Sequence, residues 1–121
     1  MIPDFSEAER DTVQTLSRQR FNNEIEVHTA DAELRLNKES DAITECPTLF
    51  FKERGCNFAI FKTGVSEFRC QFFYEPADQF GTGHTFYNDL TECVAALLQT
   101  QSDHERESQG VRSGVTGEDL A

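Results

Sequence analysis

The chain has 121 residues, 37% of them hydrophobic, with eleven Phe, two Tyr and no Trp, which suits one folded domain and excludes a wholly disordered acidic chain. Its formal charge of −11, from 22 acids and 11 bases, argues against direct binding to nucleic acid or to an anionic membrane surface, and no run approaches the roughly eighteen apolar residues of a membrane span. Four cysteines without a C-x-x-C pair, behind an N-terminus that lacks a basic and apolar leader, point to a cytoplasmic protein with free thiols.

The first element is announced by Ser6-Glu7-Ala8-Glu9, the pattern of a capping box, and predicts a helix from about Glu7 to Arg20. Val13 and Leu16, with Phe5 and Phe21 at its ends, make a narrow apolar stripe, so this helix depends on docking. From Glu24 to Asn37 the chain alternates, and the expected structure is a hairpin turning at Ala30-Asp31 or, since Ala-Asp is not a favoured two-residue turn, through a four-residue loop from Thr29 to Ala32 in the same register. That register sets Val27 against Leu34, Ile25 against Leu36, Glu26 against Arg35 and His28 against Glu33.

A polar connection, Lys38 to Pro47, leads to three apolar runs: Thr48 to Glu53, Cys56 to Lys62 and Ser66 to Glu75. Arg54-Gly55 and Thr63-Gly64 supply the turns. Pairing sets Leu49 against Ile60 and Phe51 against Phe58, and a loop from Thr63 to Val65 then sets Ile60 against Phe68 and Phe58 against Cys70. One sheet face becomes Leu49, Phe51, Phe58, Ile60, Phe68, Cys70 and Phe72, the expected core. Pro76 closes the sheet, and Ala77 to Thr85 reads as a loop. Asn88 is the expected cap of a second helix whose Leu90, Cys93, Val94, Leu97 and Leu98 follow the i, i+3, i+4, i+7, i+8 pattern. Residues 103–121 contain three Gly, two Ser and few aliphatic side chains, and the expectation is a disordered acidic tail after a domain spanning 1–102. The fold class is α+β, an antiparallel sheet of about five strands between an N-terminal and a C-terminal helix, in the order α-β-β-β-β-β-α.

Catalytic, metal and cofactor motifs are not legible. The spacing of Cys46, Cys56, Cys70 and Cys93 against His28 and His84 does not match a metal site. Cys46 or Cys56 with His84 is a weak nucleophile pair among acidic neighbours. Phe80-Gly81-Thr82-Gly83-His84 lacks the third glycine and the cation of a phosphate loop. No cofactor is expected.

The outer face of the sheet is the better lead. Phe50, Ala59, Phe61 and Phe73 lie there among Glu67, Arg69 and Gln71, where a solvated face would be mostly polar. Either the first helix or a long loop covers these aromatics, or another protein does. The functional expectation is a non-enzymatic protein-binding module of the inhibitor, immunity or chaperone type. It would dock a partner of basic character through Phe50, Phe61, Phe73, Glu67 and Arg69 and the acidic Glu24, Glu26 and Glu33, with a homodimer as a further option. The alternative is a small enzyme or ligand-binding domain near the Gly81–His84 loop, with Asp78 and Tyr87 at its mouth.

Overall fold

A computed structural model of the protein describes residues 2–36, 39–75 and 79–115, with side chains described to Glu107. Helix α1 (Glu7–Phe21) starts on the expected capping box: Glu9 N donates to Ser6 Oγ at 3.1 Å and Ser6 N to Glu9 Oε1 at 2.7 Å. Arg18 and Arg20 in its last turn complement the carbonyl end of the dipole, and Asn22 closes it in the left-handed conformation at φ 53°. Val13, Ser17 and Phe21 form its buried stripe, and the Ser17 hydroxyl returns to Val13 O at 2.8 Å, so that polar group is satisfied.

The expected hairpin between Glu24 and Asn37 does not form. A single strand, β1 (His28–Leu34), runs through Ala30-Asp31 and pairs antiparallel with β2 (Thr44–Glu53), from His28 opposite Phe50 to Leu34 opposite Thr44. Alternation of period two fits one straight strand as well as a folded one. Ala-Asp offers neither glycine nor asparagine for the left-handed turn that a hairpin needs. Pro47 is accommodated inside β2 because β3 pairing begins only at Thr48.

Strand β3 (Cys56–Gly64) pairs with β2 in the expected register, Leu49 opposite Ile60 and Phe51 opposite Phe58. The connecting Arg54-Gly55 turn has φ of 55° and 76°, both positive as a two-residue type I′ turn demands. Strand β4 (Glu67–Phe73) departs from expectation by two residues: Ile60 faces Cys70 and Phe58 faces Phe72. The loop is tighter, closing at Gly64 opposite Glu67, with an irregularity between Lys62 and Gly64. A shift of two keeps every side chain on its predicted face. A short β5 (Gln79–Phe80) adds to β4 inside the segment read as a loop, with Phe80 opposite Phe72. The sheet order is β1-β2-β3-β4-β5.

Helix α2 (Leu90–Val115) is capped by Asp89 rather than Asn88. Thr91 N donates to Asp89 Oδ1 and Cys93 N to Asp89 O, each at 3.0 Å, while the Asn88 amide reaches Ser66 O at 3.4 Å. All five periodic apolar residues of α2 are buried. The expected boundary at Ser102 falls inside this helix, where His104 stacks among Phe72, Tyr74 and Phe80 with centroids 4.7 Å apart from Phe80. Glu105 lies 3.8 Å from Arg20 and 3.4 Å from Arg54. Residues 116–121 of the expected tail lie outside the described residues. No helix among the described residues is long and apolar enough to cross a membrane.

Both helices pack on one face of the sheet. The core joins Phe5, Val13 and Phe21 from the α1 region to Leu49, Phe51, Phe58, Ile60, Phe68 and Phe72 from the strands and to the α2 stripe. Phe51 and Phe58 stack at 4.7 Å and Phe21 meets Phe58 edge-on at 5.7 Å. Helix α1 therefore does not cover the outer face, which leaves that face to the connections.

Candidate interaction site on the outer face

The outer face is divided. At one end Cys46, Thr48, Ala59 and Phe61 are all buried, at 0% to 8% exposure. Leu36, just past β1, reaches across this end, for its carbonyl accepts from Arg69 Nη2 at 3.3 Å although β2 and β3 lie between β1 and β4. Burial pushes the Cys46 thiol up, and the nearby Arg69 charge offsets part of that rise.

The other end is open. Glu24, Ile25, Glu26, His28, Phe50, Lys52, Glu53 and Asn57 line a groove of about 430 Å³. Phe50 is 38% exposed there, and the His28 ring packs against it at 5.3 Å. Glu24 lies 3.7 Å from Arg18 and Glu26 3.9 Å from His28, both well exposed, so neither carboxylate is locked by its neighbour. Ile25 anchors the approach to β1: it is buried, and its carbonyl accepts from the Gln14 amide on α1. Glu24, Glu26 and Glu53 thus line one concavity with Lys52 and an exposed aromatic ring.

The sequence-derived interaction residues separate accordingly. Glu24, Glu26 and Phe50 meet in the groove. Phe61 is buried, and Phe73 is half-buried with its carbonyl accepting from Asn57 at 3.3 Å. Glu67 closes the β3–β4 turn, its carboxylate 2.9 Å from the Thr63 hydroxyl. Arg69 is tied to Leu36, and Glu33 stands exposed near the end of β1. The groove also contains His28, Lys52, Glu53 and Asn57. The β2–β3 register already placed Lys52 beside Asn57, whereas His28 could not be placed while its strand was read as half of a hairpin.

The Gly81–His84 region forms a second, more open groove of about 380 Å³ with Thr82, His84, Tyr87, Glu92, Ala96, Gln99 and Thr100. The exposed His84 ring is 5.3 Å from Tyr87, whose hydroxyl is engaged by Thr82. Asp78, expected at this mouth, lies outside the described residues. Cys46 and Cys56 are buried in the sheet, and burial pushes the Cys56 thiol up to about 11, against nucleophilic use at neutral pH. Among the described residues no group of three metal-ligating side chains gathers. No family model, curated protein or solved structure matches this chain.

Proposed function

We propose that this protein is a non-enzymatic protein-binding module of the inhibitor, immunity or chaperone type, working in the cytoplasm, whose partner presents a basic segment to the groove around Phe50. The observation that supports this reading is the pairing of an exposed aromatic face with Glu24, Glu26 and Glu53 in a single concavity. A lysine or arginine side chain laid over Phe50 gains a cation–π contact and finds carboxylates at its charged end. The surrounding acidity steers such a partner from a distance: residues 1–45 carry eleven acids against five bases. Four free thiols suit a reducing compartment.

Affinity capture from the source cell, run in parallel with wild type, Phe50→Ala and Glu24→Gln/Glu26→Gln as baits, tests the proposal. A basic partner retained by wild type and lost from both variants supports it. Its association rate should fall steeply as salt rises. A partner held equally by all three baits places binding elsewhere.

A further inference from the structure

The groove opens at one end of a strand that has no neighbour on its other side. Among the described residues β1 pairs only with β2, so the backbone N–H and C=O groups along its free edge have no strand partner. Its seven residues are exposed or half-exposed throughout. On one face it shows Thr29, Asp31 and Glu33, and on the other the small Ala30 and Ala32, which leave space for incoming side chains.

Two features decide what this edge accepts. Glu33 stands directly opposite Glu45 across the β1–β2 ladder, a like-charge pair that a cation would relieve. A second copy of the chain would bring Asp31 and Glu33 against the same acids, which repels it. Arg35, just beyond the strand, is already within 3.9 Å of Asp41.

We infer that the partner's basic segment binds in extended form as a sixth strand on the free edge of β1, with one cationic side chain entering the Phe50 groove at the His28 end. This rests on the proposed function and adds the mode of binding. Backbone pairing supplies affinity; alternate lysine or arginine side chains on one face of the segment reach Asp31, Glu33 and Glu45, and the groove cation comes from its other face, the one His28 shares with Phe50.

The test uses the full chain and a synthetic peptide of alternating lysine and valine, as long as β1 and beginning and ending on lysine, with one further lysine added at each end to place a cation on the second face, beside the same peptide N-methylated at alternate residues in either phase. Calorimetry reads affinity, and amide exchange reads protection along His28–Leu34. The expected result is binding of the parent peptide with new protection in β1, and a loss of about tenfold or more for the methylated peptide whose pairing edge is blocked. Equal binding of parent and both methylated forms, weakened by Phe50→Ala, overturns the edge while leaving the groove. Failure of every peptide to bind overturns the inference. A β1-mediated dimer seen by light scattering, displaced by no peptide, also overturns it, because the occupant would then be a second copy.

Discussion

Lys62 Nζ donates to Glu9 Oε1 at 2.7 Å, joining the middle of the sheet to the capping box of α1. Lys62 is 4% exposed, also donates to Asp4 O at 3.1 Å, and lies 5.8 Å over the Phe5 ring. One carboxylate therefore serves as helix cap and as counter-ion to a buried ammonium.

This predicts that Glu9→Gln destabilises the fold by about 1–3 kcal/mol, since it leaves Lys62 buried without its counter-charge. Adding Lys62→Met to that variant should recover much of the loss. Urea denaturation of the two single variants and the double variant measures both effects.

The same pair sets an acid limit. Burial pushes the Glu9 carboxyl up, but the Lys62 and Ser6 hydrogen bonds and the Lys62 charge outweigh it and hold it below its ordinary 4.5. A carboxyl lowered by folding stabilises fully above its unfolded value and loses that contribution as pH falls through its folded value. The stability gap between wild type and Glu9→Gln should be constant near neutrality and shrink below about pH 4.5, as read by denaturation midpoints across that range.

The divided outer face predicts opposite outcomes for two phenylalanines. Phe61→Ala, at an 8% exposed position, should cost about 3 kcal/mol. Phe50→Ala, at 38% exposure, should cost less than about 1 kcal/mol and weaken partner binding. Thermal unfolding beside the capture experiment separates the two.

Thiol accessibility gives a further check. Cys46, Cys56 and Cys93 are buried and Cys70 is half-buried. With Cys56 pushed up to about 11, roughly one molecule in a thousand carries its thiolate at pH 8. Brief iodoacetamide treatment of the native protein should modify Cys70 first, and the other three only with denaturant, as followed by mass spectrometry.

Ending the chain at Ser102 should destabilise it by on the order of 2 kcal/mol, because His104 leaves the Phe72, Tyr74 and Phe80 cluster and Glu105 leaves Arg20 and Arg54. Calorimetric melting of the shortened and full chains measures this.

The core was legible because phenylalanine and the branched aliphatic residues repeat at period two in β2, β3 and β4 and at helical period in α2. Those periods survive a two-residue slip, which is why the β3–β4 register could be misread without moving Phe68 or Phe72 out of the core. The β1 hairpin was misread because its polar alternation carries no burial signal to separate one strand from two. The order beyond Ser102 was hidden for another reason: His104 and Glu105 read as solvated residues, and their value comes from Phe80 and Arg54, which are far away in sequence. Of the site, Phe50 and the acids at 24 and 26 could be named in advance. Their meeting could not, since it depends on where β1 begins.

The order β1-β2-β3-β4-β5 makes each strand's neighbour in space its neighbour along the chain. Two-residue turns join β2 to β3 and β3 to β4, so those contacts form with little loop-closure entropy. The connection from Leu34 to Thr44 is the long one. Strand β1 should therefore join the sheet after β2, β3 and β4 have paired, and its amides should exchange at a lower opening free energy than those of β3. Detachment of a single border strand would let evolution retune how firmly a guest is held without touching the assembly of the rest.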